Sequence, residues 1–583
     1  MTEQLTLTHE RVDDIPLLLA QLDRRQVAEV LDRGFPTHGN WQGLSLGQVV
    51  SVWLTFILSQ ANHRMSHVEP WAERRRQTLS RCLGTEVRAL DFSDDRLAAV
   101  RDYLSDDAAW QEFERHLNQR TLRVYDLRPE RVRVDATTAK SYGRVTEESL
   151  VQFGYSKEHR PDLPQFKVNL SVLDPLGLPL TTTVVSGDCA DDPLYVPELK
   201  RVQASLGRRS LTYIGDAKMA ALTTRAYVAG SGNSYLCPLP ATQVPAEELE
   251  RLLAPVWAQR QALTPVWRPA EVGATAQESE LLAEGYEFTV ELEATVDGRR
   301  VQWQERRLVV RSVAWAEAQR QALATRLAKA QAELRALNER RQGKKRYTDA
   351  AELRTAGEQI LAKPRVSRLL QVHCQTREQT QVRRRYGTRP AQMQVDRTVQ
   401  LTAQVDTAAV AQAERTLGWR VYATNQPQGE LSLPQAVLAY REEYLVERGF
   451  GRLKGKPLSL TPLYLDSEER ITGLLRVLLL ALRALCLLEF SARRQLQSEG
   501  EKLAGIYPGN PQRATTRPTT ELRLHVFEGL TLTVLAQAGE VQTYLTPLSS
   551  VQQRILQLLG LLPEIYLRLA QHSSKPLLKM SEP

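Results

Sequence analysis

The sequence has few cysteines and lacks the short motifs that mark common metal and cofactor sites. Its five cysteines are scattered, with no Cys-x-x-Cys pair, which argues against a zinc ribbon or a disulfide framework and favours a reducing compartment. There is no His-Glu-x-x-His and no Rossmann glycine fingerprint. Gly449 to Lys456 resembles a phosphate-binding loop only superficially, because its spacing is wrong and Pro457 stands where Ser or Thr is required. The nine histidines show no ligand spacing, so carboxylates remain the candidate functional groups.

No secretory leader is expected either, because the first residues lack a basic segment followed by an apolar one. The most apolar stretch, 471–490, carries Arg476, Arg483 and Glu489. Charges near a bilayer midplane cost roughly 2.5–3.5 kcal/mol each, so we expect a buried core helix there. The protein is therefore expected to be cytoplasmic.

The length and charge bound the possible functions. With 583 residues the chain is too long for one core. Lys and Arg number 76 against 68 Asp and Glu, a formal charge of +8, with a pI near 9.2. This modest excess permits a polyanionic partner without proving one.

Changes of hydrophobic periodicity divide the chain into five regions. Residues 1–125 are predicted to form a helical domain, either one that binds DNA or a helical cap on the next domain. The expected regions after it are a first α/β core part (126–245), an insertion rich in strands with a helical hairpin (246–409), a second core part with a helix carrying Glu447 (410–497), and a linker with a C-terminal segment (498–583). Strands are predicted at 131–135, 165–173, 178–185, 210–214 and 235–239, and a β-hairpin around Asp297-Gly298.

Three acids occupy distinctive positions. Asp135 ends the alternating run from Arg131 and is expected to enter a Thr/Ala turn, and Asp216 ends the run from Leu211. Glu447 lies in 440–454, which reads as one helix with Tyr440, Glu447 and Lys454 seven apart on one face. An acid after a strand is commonly a turn residue, and the helix face is open to the alternative of solvated Glu–Arg pairs. The ordered set of three favours convergence in space on a divalent metal.

The order strand-Asp, strand-Asp, insertion, helix-Glu resembles the DDE transposases of bacterial insertion sequences. Within them it resembles the superfamily with the signature Tyr, two residues, Arg, three residues, Glu, six residues, Lys. Tyr440, Glu447 and Lys454 match this spacing, while Glu443 stands where Arg is expected and Arg441 or Arg448 is the alternative for that role. Segments 154–165, 215–218 and 450–459 are similar to the branch named after insertion sequence sixteen-thirty-four.

This resemblance implies an RNase H-like mixed-sheet core interrupted by a β-rich insertion. Glu447 follows Asp216 by 231 positions, whereas Asp216 follows Asp135 by only 81, which leaves room for that insertion. The implied activity is cleavage of transposon ends and joining of the 3′-OH to target DNA, with two Mg²⁺ or Mn²⁺ ions held by Asp135, Asp216 and Glu447. Hard divalent ions prefer such oxygen ligands.

The resemblance also implies double-stranded DNA as the partner, a homodimer or higher oligomer on DNA, and association with a bacterial nucleoid. The predicted DNA-binding side chains are Tyr440, Arg448, Lys454, Lys140, Lys218, Lys344, Lys345 and Arg346, and basic residues 383–385 form a further candidate. Each of them has the simpler alternative of a solvated or packed surface residue. The alternative functions are a transposase-derived DNA-binding regulator without catalysis and a metal-dependent host nuclease that does not join strands.

Overall fold

The computed structural model describes residues 6–157, 159–207, 210–269, 280–339, 345–363, 366–383, 392–537 and 540–570. The chain divides into two compact units. The first contains Met1–Leu236, Glu293–Trp303 and Tyr440–Pro583, and the second contains Cys237–Leu292 and Gln304–Ala439. Each unit is described by itself.

The protein is of the mixed α/β class. Its described helices are α1 (Ile15–Arg24), α2 (Val27–Gly34), α3 (Leu46–Gln60), α4 (Val68–Glu73), α5 (Arg76–Leu83), α6 (Asp94–Ser105), α7 (Asp107–Val124), α8 (Tyr195–Leu206), α9 (Leu222–Gly230), α10 (Ala246–Trp257), α11 (Val313–Ala336), α12 (Ala350–Ala362), α13 (Thr407–Glu414), α14 (Leu433–Arg441), α15 (Tyr444–Lys454), α16 (Glu468–Glu499), α17 (Thr520–His525), α18 (Ser550–Leu558) and α19 (Glu564–Leu567). Its described strands are β1 (Thr6–Arg11), β2 (Arg131–Lys140), β3 (Gln165–Leu173), β4 (Leu178–Ser186), β5 (Thr212–Gly215), β6 (Ser234–Pro238), β7 (Thr264–Trp267), β8 (Leu281–Val296), β9 (Arg299–Ser312), β10 (Leu370–Arg383), β11 (Gln392–Val405), β12 (Trp419–Thr424), β13 (Thr531–Gln537) and β14 (Glu540–Leu545).

Five strands centred in the first unit are neighbours in the order β4-β3-β2-β5-β6. β3 pairs antiparallel with β2 and β4, whereas β5 is parallel to both β2 and β6. Helix α8 connects β4 to β5 and helix α9 connects β5 to β6, as parallel neighbours require a crossover. The five predicted strands are present in the predicted order, and β3 has the predicted bounds.

Strand β2 differs from its prediction. It continues five residues beyond Asp135 to Lys140 and pairs with β3 along its whole course, so the expected Thr/Ala turn after Asp135 is wrong. The residues 136–139 are all buried. Because they have neighbours on both faces, the polar-apolar alternation that marks a half-buried strand stops before the strand does.

The N-terminal region is helical from α1 to α7, but it begins with a strand that the periodicity did not reveal. β1 pairs antiparallel with β13, and β13 pairs with β14. The expectation of a helical region 1–125 is therefore wrong for Thr6–Arg11.

The sequence also contains one Gly-x-Ser-x-Gly pattern, at 43–47. Its Ser45 forms the capping box of α3 with Gln48, so it is not a nucleophile at a strand-to-helix turn.

Helix α16 is the longest buried element of the first unit. By length and composition it could cross a membrane, yet its apolar window is entirely buried inside the protein, which confirms the expected core helix. It packs on α6 and α3. Its approach to α6 is close because Gly473 has no side chain: a Cβ there would lie 2.1 Å from the Arg101 carbonyl oxygen.

The second unit contains strands and a helical hairpin, as predicted. β12, β9, β8 and β7 are neighbours in that order. Asp297 and Gly298 at the β8–β9 turn, which belongs to the first unit, both have positive φ. Leu323, Leu327, Ala330 and Leu334 of α11 are buried against α12 and the β10–β11 ribbon. These four residues alternate four and three apart in the sequence, so they form a short heptad seam on one side of α11.

Candidate active site

Asp135 and Asp216 are brought together by the register of two parallel strands in the first unit. Val134 of β2 lies opposite Gly215 of β5, so the two acids occupy the next position on neighbouring strands. Such strands are about 4.8 Å apart. Two residues 81 positions apart in sequence therefore stand side by side at the carboxyl end of β5.

Asp216 is oriented by two donors. The Tyr195 hydroxyl of α8 donates to its Oδ1 at 2.7 Å, and the Lys218 backbone N–H donates to the same oxygen at 2.9 Å. Asp135 accepts at Oδ1 from the Ala136 N–H at 2.7 Å. Asp216 is consequently the more firmly held of the two acids.

The third side of the site comes from the junction of α14 and α15. The expected single helix over 440–454 is wrong, because α14 ends at Arg441 and α15 begins at Tyr444. A reason is visible in the contacts: Glu442 lies 3.6 Å from buried Arg133, whose guanidinium is also paired in a two-pronged contact with Asp174 at 3.1 Å. Pairing of Glu442 with the sheet accompanies the turn at 442–443.

This turn places Glu443 in the site. A small cavity in the first unit is lined by Arg133, Val134, Asp135, Ile214, Gly215, Asp216, Tyr440, Glu443 and Val446. Its volume of about 10 Å³ is close to the least that holds one water molecule. Glu447 is one helical turn beyond Glu443, is exposed, and is not among the lining residues.

The carboxylates influence one another. Burial raises the pKa of Asp135 to about 7; Lys157 opposes this rise, while Asp216 and Glu443 add to it. Burial also raises the pKa of Glu443; a hydrogen bond with Tyr440 opposes the rise, and Glu447 and Asp216 reinforce it. All four acids thus share one electrostatic environment, with Glu447 coupled to the cavity through Glu443.

Two lysines reach β2 beside Asp135. Lys157 donates to the Ala136 carbonyl at 2.6 Å. Lys454, at the end of α15, lies 3.0 Å from Thr137 Oγ1 and 3.4 Å from the Thr138 carbonyl oxygen. Both cations therefore stand within a few residues of Asp135 along the strand.

The other predicted DNA-binding residues have different surroundings. Exposed Lys218 lies 3.6 Å from Asp192, and half-buried Lys140 ends β2. Arg448 donates to Glu489 at 2.6 Å, so it fastens α15 to α16. In the second unit, Lys345 pairs with Glu352 at 3.2 Å and Arg346 is exposed. Lys344 and the side chains of 383–385 lie outside the described residues.

Sequence reasoning missed three residues of the site. Glu443 was noted only as a departure from the expected Arg. Tyr195 lies at the start of a helix, in a segment without any functional motif. Lys157 had a signal, because it lies in the family-like segment 154–165.

Among the described residues, no three His, Cys, Asp or Glu side chains are grouped so that they could hold a metal ion.

No protein-family model matches the sequence, and no curated protein matches it. Among solved structures, the chain is similar to piggyBac transposase in its cryo-EM synaptic complex with hairpin DNA. The identity is 8%, the TM-score is 0.32, and the match covers 84% of this chain and 75% of that one. At these values the similarity establishes neither a shared fold nor a shared function, and the resemblance to bacterial insertion-sequence transposases stays a prediction.

Proposed function

We propose that this protein is a metal-dependent enzyme that cuts DNA at the ends of a mobile element and joins the 3′-OH to a target, with an RNase H-like core. The observation that carries the proposal is the convergence of Asp135, Asp216 and Glu443 of the α14–α15 junction around one cavity. The sheet order supports the core: three antiparallel strands are followed by two parallel strands, each after a helix.

The donor set fits a hard divalent cation. Its members are carboxylates, and the raised pKa of Asp135 reflects burial beside like charges, a situation that a bound cation relieves. We propose Asp135, Asp216 and Glu447 as the ligands, with Glu443 as an additional candidate because it lines the cavity. Bound Mg²⁺ or Mn²⁺ would activate the attacking oxygen and stabilise the leaving one.

The chain's own residues would orient this chemistry. Tyr195 and the Lys218 N–H hold Asp216 in one orientation. Lys454 and Lys157 place positive charge beside Asp135, where a DNA phosphate would need compensation. Glu447 is exposed on the first turn of α15, and the proposal requires its side chain to turn toward the cavity when a cation neutralises the other acids.

The test is cleavage of duplex DNA carrying the inverted repeats that flank the coding region, with Mg²⁺, Mn²⁺ or EDTA. Wild type should cut only with metal and then join the 3′ end to a second duplex. Asp135→Asn and Asp216→Asn should abolish cutting. Glu499→Gln is the control, since it removes an acid that pairs with Arg554 at the far end of α16, away from the cavity.

Parallel Glu443→Gln and Glu447→Gln variants decide which acid of α15 is required. Loss of cutting only in Glu447→Gln supports the ligand set proposed here, whereas loss only in Glu443→Gln replaces Glu447 by Glu443. Cutting that survives Asp135→Asn contradicts the proposal.

A second candidate is a DNA-binding regulator without catalysis. The observation that favours it is that no metal-holding group of three side chains is present among the residues described. Wild type that binds the repeats and never cuts them, with either metal, identifies this function. Cutting without joining would instead identify a nuclease.

A further inference from the structure

The two faces of the β10–β11 ribbon differ sharply in chemistry. The strands pair antiparallel over fourteen positions, from Leu370 opposite Val405 to Arg383 opposite Gln392. On one face, Leu370, Leu401 and Val399 are buried against α11 and α12 in the core of the second unit. This face anchors the ribbon.

The opposite face is rich in neutral amides. Its members with described side chains, which we call the glutamine face, are Gln371, His373, Gln375, Arg377, Gln379, Thr398, Gln400, Thr402 and Gln404. Five of these nine are glutamine, and all nine are exposed except Thr398, which is half-buried; the strand register also places Asp396 on this face, opposite Gln379. The apolar face contacts α11 and α12 near the base of the ribbon and is exposed further out at Thr376 and Thr380, whereas the glutamine face is exposed along almost all of its described length.

This composition is unlike an ordinary solvated surface, of which roughly 25–35% is charged. A glutamine amide offers both a donor and an acceptor and forms a bidentate hydrogen bond with the edge of adenine in the major groove. An uncharged amide also costs less to remove from water than an ion does. The face therefore suits a partner that presents a dense array of hydrogen-bonding edges.

The dimensions and charges point to duplex DNA. A two-stranded ribbon fits the major groove, which is about 12 Å wide, and fourteen residues at about 3.4 Å each extend past one helical turn. Arg377 adds a cation to the face, and Glu378, on the opposite face, is paired with Arg397 at 2.6 Å. Asp406, at the base of the ribbon, accepts from Gln371 at 3.0 Å, so Glu378 and Asp406 are both engaged.

We propose that the glutamine face of the β10–β11 ribbon docks in the major groove of duplex DNA and reads base edges there. The proposal deepens the proposed function, on which it rests for its partner, by naming the element that selects a sequence. Recognition is by amide hydrogen bonds, with Arg377 available for a guanine or a phosphate.

The experiment uses the full chain in EDTA, so that no cutting is needed, and a pool of random-sequence duplex DNA. Wild type should enrich one sequence. Gln375→Ala/Gln379→Ala should bind that sequence at least about tenfold more weakly, since each two-pronged contact discriminates by about that factor or more. The matched control is Thr376→Ala/Thr380→Ala, which changes exposed residues of the same strand on the opposite face and should bind as wild type does.

Other outcomes overturn the proposal. Equal affinity and equal sequence preference in all three proteins would exclude groove reading by this face. A change in self-association in Gln375→Ala/Gln379→Ala, with DNA binding unaltered, would identify a second copy of the chain as the occupant. Thermal melting of the three proteins should coincide, because both pairs are exposed; if the first melts lower, Arg377→Gln replaces it, with the same expected loss and a shallower salt dependence.

The results separate this inference from the proposed function. If wild type cuts terminal repeats with metal, and Gln375→Ala/Gln379→Ala keeps the sequence preference of wild type, only the ribbon proposal is contradicted. Ribbon-dependent binding by a wild type that never cuts sinks the catalytic proposal alone. Absence of any duplex binding sinks both.

Discussion

Glu489 is expected to hold the candidate site's helix in place. It lies in the apolar helix α16 with a side chain only 5% exposed, yet it accepts from Arg448 at 2.6 Å and from Arg452, and lies 3.1 Å from Arg493. Arg448 and Arg452 both belong to α15. The carboxylate therefore joins the helix of Glu447 and Lys454 to the core.

Replacing Glu489 by Gln leaves these guanidinium groups without their counter-charge. Removing one partner of a buried pair costs about 3–5 kcal/mol. The lower end applies here, because Arg448 and Arg493 are about one third exposed and Arg452 keeps a second contact with Glu521 at 2.9 Å. A loss of about 3 kcal/mol corresponds to roughly a hundredfold faster opening of α15.

Amide hydrogen exchange of peptides from α15 measures this opening directly. Glu499→Gln is the matched control, since Glu499 is in the same helix but pairs with Arg554 at its far end; it should leave α15 unchanged. Exchange in Glu489→Gln that stays within a few-fold of wild type would refute the reasoning.

The pH dependence supplies an independent check. Burial raises the pKa of Glu489, but Arg452 and the other arginines outweigh it, so the pKa lies below its usual value. The stabilisation is then present above about pH 4.5, the unfolded value, and is lost as pH falls through the folded pKa. The difference between wild type and Glu489→Gln should shrink in acid.

Three further changes test other parts of the fold. Burial raises the pKa of Glu114 to about 7, so its contribution to stability is full below about pH 4.5 and is lost as pH rises to 7. Urea unfolding should show wild type losing about 3 kcal/mol relative to Glu114→Gln across that window. A difference in unfolding free energy between the two proteins that does not change with pH contradicts this. Gly473→Ala forces α16 away from Arg101 of α6 and should lower the unfolding free energy by about 1–3 kcal/mol. Gly451→Ala is the control and should not lower it, because nothing lies within 4 Å of the added Cβ. Equal melting temperatures of the two variants contradict the steric account. Leu334→Ala empties a fully buried position and should speed exchange in α11 and α12 by the equivalent of about 2–5 kcal/mol, which unchanged protection there would exclude.

Periodicity succeeded where an element has one buried face or an unambiguous turn. The β8–β9 hairpin was predictable because Asp297-Gly298 tolerates positive φ at both positions. The seam of α11 was predictable because Leu323, Leu327 and Leu334 recur at heptad spacing and pack on one side only. Local sequence carries this information, since the pattern depends on the element's own period.

The failures have a common physical cause, which is contact with distant residues. β2 continues through the buried pair Thr137 and Thr138 because β3 supplies partners to Lys140. The helix expected over 440–454 is broken at the turn where Glu442 meets Arg133 from the sheet. Neither event has a local signal, so Asp135 and Asp216 were predictable as a pair while Glu443 was not.

The unequal support of the four acids suggests how a cation and DNA would act on the site under the proposed function. Asp216 is fixed by two donors, whereas Asp135 is half-buried with its pKa raised to about 7, and Glu447 is exposed. Like charges this close are relieved either by a proton or by a cation. A DNA phosphate adds further negative charge beside these acids. When the phosphate and a divalent cation bind together, the added charge attracts the cation more strongly than it attracts a proton. Metal binding should therefore be tighter with DNA present than without it, and by linkage DNA binding should be strengthened by the metal by the same factor.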